Sequence, residues 1–199
     1  MGCGTGKNME ELSAFGDVFG IDSSAEAVAY CRTRGQFGVR KGSTYNSGFS
    51  ANSFDLITLL DVLEHTDDHK TLTEVKRLLV SGGNVLITVP AFSWLWSRWD
   101  EVLHHRRRYN KKMLEVLLER EGFELVKSSY LYSFLVVPAF LIRWIKTLSY
   151  NKSYSSDFKL TLPIINKLMV LICDMERTLM MKFSIPFGTS LVVLARKIN

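Results

Sequence analysis

The sequence predicts an α/β fold, and three observations carry the prediction. Residues 17–21 (DVFGI), 55–60 (DLITLL) and 84–89 (NVLITV) are near-continuous apolar, β-prone runs. Segments with helically spaced apolar residues separate them, and a glycine-rich turn at the start of the chain leads straight into a helix. Continuous apolar strands alternating with helices imply a parallel sheet covered on both faces.

In chain order, residues 7–15 suit a short helix stopped by Gly16, followed by the 17–21 strand and an acid, Asp22. Ser23 and Glu26 stand three apart at the head of an amphipathic pattern (Ala25, Val28, Ala29), a capping box for a helix that Gly35 ends. After the 55–60 strand, Leu72, Val75, Leu78 and Leu79 mark a helix that Gly82 and Gly83 close, and the 84–89 strand follows. Asn110 suits the N-cap of a helix over 111–121, Gly122 stops it, and 123–130 reads as a strand. The last strand is 191–196. Between these two strands lies 132–189, with apolar helical stretches at 134–148 and 164–183 around a polar linker, NKSYSSD. We therefore expect one domain over 1–199, with 132–189 as a helical insertion or lid.

Composition narrows the class. Hydrophobic residues make up 47% of the 199 positions and charged residues 23%, so a packed globular core is expected and disorder is not. Cys3, Cys31 and Cys173 are odd in number and widely spaced, which excludes a disulfide framework and points to a reducing cytoplasm. No basic patch followed by an apolar run opens the chain, and the apolar stretch 134–142 is cut by Arg143 and Lys146, short of the roughly 20 residues of a spanning helix. The net charge of +5 fits an acidic ligand or a membrane surface, and no nucleic-acid role is expected.

The turn Gly2, Cys3, Gly4, Thr5, Gly6 lets the backbone pass close to a ligand at a helix start. A dinucleotide fingerprint needs glycine three positions after Gly4, where Lys7 stands. A phosphate loop needs glycine and a hydroxyl where Met1 and Asn8 stand. Asp22 ends the next strand at the spacing where an acid accepts from ribose hydroxyls, although it also suits a helix cap. His104 and His105 are adjacent, so their side chains point apart, and no other ligand is spaced with them; no metal site is expected. Trp94, Trp96 and Trp99 suit either a pocket lining or a cover over the core.

Taken together, Gly2 to Gly6, Asp22, the string D-V-L-E-H (Asp61 to His65), G-G-N-V-L-I-T-V-P (82–90) and W-S-R-W-D-E-V-L-H-H-R-R-R-Y (96–109) resemble the class I S-adenosylmethionine-dependent methyltransferases, in particular the bacterial type 11 group. The later strings S-D-F-K-L (156–160) and P-F-G-T-S-L-V-V-L-A-R-K (186–197) extend the resemblance along the chain. It implies a Rossmann-like sheet and S-adenosylmethionine as cofactor, contacted by Gly2, Cys3, Gly4, Asp22, Ser23, Ser43, Leu60, Asp61 and Val62. It also implies transfer of a methyl group to an acceptor that the sequence does not identify. The competing reading is a noncatalytic binding protein that keeps the fold.

Two departures matter. The type 11 pattern H-D then G-H-x-R-R-Y carries Trp99 in place of its first histidine and His104 in place of its glycine. The family also has a strand ending in Asp or Glu before the glycine turn, where this chain has Met1, so a fragment lacking the first strand is expected. If the acceptor must lose a proton, His105 is the expected base, because its unperturbed pKa lies near neutrality. The apolar residues of 134–145 exceed one narrow helical stripe, and Arg143, Lys146, Lys152 and Lys159 lie nearby. An amphiphilic acceptor, contact with a lipid surface and a phosphate held by Arg106 to Arg108 are therefore expected, with a homodimer face as the competing use of the same residues.

Overall fold

The computed structural model describes residues 1–141 and 163–198. β1 (Gly20–Asp22) pairs in parallel with β2 (Val39–Lys41). A second sheet holds β3 (Phe54–Leu60), β4 (Leu79–Pro90), β6 (Ser190–Lys197) and β5 (Phe123–Leu131), in that order across it. β3 and β4 are parallel, whereas β6 runs antiparallel to both β4 and β5. The expected wholly parallel sheet is thus a mixed one. An apolar run has no direction written into it; β6 enters the sheet reversed because the chain returns from the 132–189 segment at the opposite end of its neighbours.

Five helices precede the last strands: α1 (Lys7–Leu12), α2 (Ala25–Thr33), α3 (Asp68–Leu78), α4 (Arg98–Val102) and α5 (Lys111–Arg120). α3 and α5 bury Leu72, Val75, Leu78, Leu114 and Leu118 against Leu59, Val85, Ile87, Val89, Leu191 and Val193 of the sheet. A smaller cluster of Met9, Val28, Cys31 and Val39 seats α1 and α2 on the β1–β2 pair. Truncating a fully buried leucine here, Leu118→Ala for instance, is expected to cost about 3 kcal/mol of unfolding free energy.

Local chemistry explains most boundaries and corrects several. Asn110 accepts from the Met113 amide at 2.8 Å, as expected for the cap of α5. α2 is capped one residue later than expected and without the box: Ser24 accepts from the Ala27 amide at 3.1 Å, its hydroxyl donates to Glu26 at 2.7 Å, and its own amide donates to Asp22. The expected 17–21 strand shortens to Gly20–Asp22, the stretch that finds a partner in β2. Gly82 and Gly83 do not end α3. That helix stops at Leu78, the chain is extended from Leu79, and Gly82 (φ 72°) shapes an irregularity inside β4.

The two sheets are not hydrogen-bonded to each other as strands, and residues 1–3 run between them. The Met1 amino group donates to the Thr58 carbonyl at 2.9 Å and the Cys3 amide to the Ile21 carbonyl at 3.0 Å. A groove of about 450 Å³ beside them is lined by Phe19, Ile21, Phe54, Leu56 and Ile57. The interruption falls where the sequence reading expects a strand.

Glu74 on α3 supplies a pH-dependent tie to the loop after β2. Arg77 donates to its carboxylate at 2.7 and 2.8 Å, and the amide and hydroxyl of Ser47 donate at 2.9 and 2.7 Å. The Arg77 hydrogen bonds, opposed by burial and reinforced by Ser47, bring the Glu74 pKa down to about 2. A depressed carboxylate pKa stabilises the fold above its unfolded value near 4.5, and that stability is lost as pH falls from about 5 toward 2. The Arg77 side chain is 41% exposed and solvent screens part of the interaction, so about 2 kcal/mol is expected. Unfolding free energy measured against pH will show this loss in the native protein, and Glu74→Gln will flatten the curve; parallel curves would remove the tie.

In the insertion, residues 136–141 are helical and α6 (Pro163–Lys182) follows among the described residues. The NKSYSSD linker, the S-D-F-K-L string, and Arg143, Trp144, Ile145, Lys146, Lys152 and Lys159 lie outside the described residues. α6 is anchored by the carboxylate of Glu176, which accepts from the Tyr132 amide, the Ser133 amide at 2.8 Å and the Ser133 hydroxyl at 2.5 Å, and near its end by Lys127, whose ammonium donates to the Met181 carbonyl at 2.9 Å. Ile164, Leu168, Leu171, Met175 and Leu179 recur at helical spacing on α6 and are all more than half exposed. Removing the anchor by Glu176→Ala is expected to cost about 2 kcal/mol locally. Amide exchange across α6 should then speed up roughly 30-fold while β4 stays protected. Equal exchange in both proteins would show that Glu176 does not hold the helix.

Candidate functional site

The residues picked from the sequence gather at the C-terminal ends of β1, β2 and β3, the side of a parallel sheet where ligands bind. In the glycine turn, Gly2, Gly4 and Gly6 have φ values of 67°, 51° and 77°, a region that side chains rarely adopt. Their surroundings differ. A Cβ on Gly2 would meet Val62 at 2.6 Å and one on Gly6 would meet Gln36 at 1.8 Å, whereas one on Gly4 would meet nothing within 4 Å. Gly2 and Gly6 are therefore packing glycines, and Gly4 borders open space. α1 contributes little as a helix terminus, being 6 residues long.

Asp22 clamps the turn. Its two oxygens accept from the Gly4 amide at 2.8 Å and the Ser24 amide at 3.0 Å, which leaves one lone pair on each. Asp22 thus links the turn to the start of α2, whose N-cap is Ser24. Burial and the neighbouring Cys31 raise the Cys3 thiol to about 11, so Cys3 is a packing residue and not a nucleophile. Ser23 is exposed beside Asp22. Ser43 is exposed, and its hydroxyl accepts from the Tyr45 amide at 3.1 Å within a turn after β2.

Beyond Leu60 at the end of β3, Asp61 has φ 53°, held there by its amide donating to the carbonyl and hydroxyl of Thr88 at 3.0 and 3.1 Å. The Thr88 hydroxyl returns a hydrogen bond to the Asp61 carboxylate at 3.2 Å. Phe92, His104 and Tyr132 also have φ between 56° and 57°, so the loops after β3, β4 and β5 share backbone strain of the kind concentrated at functional sites. Val62 is buried under Gly2 and joins the glycine turn to the β3 loop.

The loop after β4 departs most from the sequence reading. The run Arg106 to Arg108 is not a free basic loop: Arg107 pairs with Asp68 at 2.6 Å, and Arg108 forms a two-pronged pair with Asp100 at 2.7 and 3.0 Å. Arg106 is exposed, and its amide donates to the Glu64 carbonyl at 2.8 Å. Asp100, fully buried, also accepts from the Ser97 amide and from His105 Nδ1, at 2.7 and 2.9 Å. Burial pushes the Asp100 pKa up, but Arg108 and His105 outweigh it and hold the group below its ordinary value. A carboxylate only accepts, so His105 donates through Nδ1, and in the neutral ring Nε2 is then the acceptor.

That arrangement faces the acid of the D-V-L-E-H string to which the sequence reading gave no role. Glu64 is fully buried in the turn after β3, and burial raises its pKa to about 8. His65 lies beside it, its pKa lowered by burial and by His105, and the two imidazoles meet edge to face with centroids 4.7 Å apart. Only the tertiary fold brings residue 105 to residues 64 and 65. Phe92, Trp94, Tyr130 and Phe140 form an aromatic row on the same side of the sheet, so Trp94 is 54% exposed while stacked at 5.4 Å on Phe92.

With this geometry known, its relatives can be placed. Residues 1–87 match the methyltransferase domain family. The fold aligns with geranyl diphosphate methyltransferase in complex with S-adenosylmethionine at a TM-score of 0.68, with 14% identity over 99% of this chain and 76% of that one. It aligns with an S-adenosylmethionine-dependent methyltransferase from Archaeoglobus fulgidus at a TM-score of 0.64, with 16% identity over 98% of this chain and 83% of that one. This is a class I methyltransferase fold. The methyltransferase match stops near β4, so the loop carrying Asp100 and His105 lies beyond it. An uncharacterized protein of Methanocaldococcus jannaschii is 29% identical over 133 residues, which are 65% of this chain; the chain spans 56% of the length of that relative.

Proposed function

We propose that this methyltransferase domain binds S-adenosylmethionine and transfers its methyl group to an acceptor. The observation that carries the reading is the junction of the glycine turn with the β1 and β3 loops. Gly4 borders open space, Asp22 fixes the turn with lone pairs to spare, and Asp61 and Val62 close the other side. These residues fit the cofactor: Asp22 would take ribose hydroxyls, and the Gly2–Gly4 backbone would lie along the methionine end. Leu60, Asp61 and Val62 would border the rest, with Ser23 and Ser43 at the rim. The bound sulfonium supplies an electrophilic methyl group, so the protein's task is to hold a nucleophile in line with it and keep water out. His105, steered by Asp100, belongs to the acceptor end.

An amphiphilic acceptor under α6 forms part of the same proposal. Tyr132 ties α6 to the end of β5, because its amide donates to Glu176. The exposed apolar row of α6 would cover such a molecule. Among the described residues no helix is long and apolar enough to cross a membrane. Flotation with anionic and neutral vesicles tests the lipid contact, which predicts binding that Leu171→Asp abolishes; a concentration-dependent dimer without flotation would assign the row to a second copy.

Isothermal titration with S-adenosylmethionine and its demethylated product tests the central reading. One site per chain is expected, lost in Gly4→Val. Absence of heat with both ligands in the folded protein would favour a binding protein that keeps only the fold.

A further inference from the structure

The loops after β3 and β4 bring together three groups that could hold a metal ion: Glu64, His65 and His105 each present a ligand atom, and these lie within 4.8 Å of one another. Glu64 is fully buried, yet neither carboxylate oxygen has a hydrogen-bond partner among the described residues. An orphaned buried carboxylate is costly, and folded proteins keep one where a ligand or ion satisfies it. The Arg106 amide ties the two loops together at the Glu64 carbonyl, so the three groups are held by backbone as well as by packing. Asp100 accepts a hydrogen bond from His105 Nδ1, which turns Nε2 away from it, and this is the support that metal-bound imidazoles receive from carboxylates.

We propose that Glu64, His65 and His105 form a binding site for a first-row divalent transition-metal ion. Two imidazoles and one carboxylate suit zinc, iron, cobalt or nickel, whereas magnesium and calcium favour all-oxygen sets. Bonds of about 2.0–2.2 Å require the ligand atoms to move slightly closer, which rotation of the side chains supplies. Three protein ligands leave a coordination position open for water or for an oxygen of a bound molecule. In this assignment His105 Nε2 acts as a ligand, in place of the proton acceptor expected from the sequence. The site stands whether or not the domain transfers methyl groups.

The test is a titration of chelator-treated protein with cobalt(II), followed by visible absorption, with zinc(II) added in competition. One ion per chain is expected. Glu64→Gln and His105→Asn should each weaken binding at least tenfold. Asp100→Asn should weaken it by about 10- to 100-fold through the lost support of His105. His69→Asn, an exposed histidine elsewhere, should leave affinity unchanged. Circular dichroism confirms that each variant is folded, and the native titration decides alone if one is not. Absence of equimolar binding, a thiolate charge-transfer band that moves the ion to cysteine, or equal affinity in folded Glu64→Gln would overturn the assignment.

Discussion

Asp100→Ala is expected to lower the unfolding free energy by about 3–5 kcal/mol, the range for breaking a buried ion pair from one side. The side chain is fully buried and Arg108 is 9% exposed, so the substitution strands a guanidinium where water cannot replace the lost carboxylate. His105 and the Ser97 amide lose an acceptor in the same step, and α4 loses the tie across its first turn. Chemical denaturation at neutral pH measures the effect. Asp67→Ala is the reference, since it removes the exposed cap of α3 and should cost about 1 kcal/mol. Equal losses in the two variants would mean that the β4 loop is held by something other than Asp100.

The second large effect concerns the glycine turn. Asp22→Ala is expected to weaken S-adenosylmethionine binding by roughly 30-fold, or about 2 kcal/mol, as a charged acceptor is removed from both the turn and the ribose. Asp22→Asn separates the two contributions. An amide oxygen can still accept from one backbone N–H, but it cannot serve Gly4, Ser24 and a pair of hydroxyls together. Gly4→Val should fail more completely, because its side chain enters the space left open there and needs a backbone conformation that valine rarely adopts. Unchanged affinity in Asp22→Ala, measured by calorimetry on folded protein, would move the cofactor elsewhere on the domain.

The sequence reading singled out the glycine turn and Asp22 because each is a local signal, a backbone conformation only glycine tolerates well or an acid at the end of a strand, and the Asp61 loop through its resemblance to a family motif. It found the caps of α2 and α5 within one residue for the same reason. It expected Arg106 to Arg108 to hold a phosphate, whereas Arg107 and Arg108 pair with Asp68 and Asp100, residues 39 and 8 positions away. It named Glu64 only within the D-V-L-E-H string and gave it no role, because nothing local distinguishes a carboxylate that will be buried from one that stays in water.

Apolar periodicity and glycine chemistry, which act within a few residues, were enough to determine the α/β class and the order of the longer elements, while the short β2 and α4 carried no such signal. The tertiary structure alone decided the reversed direction of β6, the conversion of the arginine run into internal ion pairs, and the meeting of Glu64 and His65 with His105. Each of these depends on which surfaces lose water together when distant segments pack, and burial of that kind is a property of the assembled chain rather than of any stretch of it.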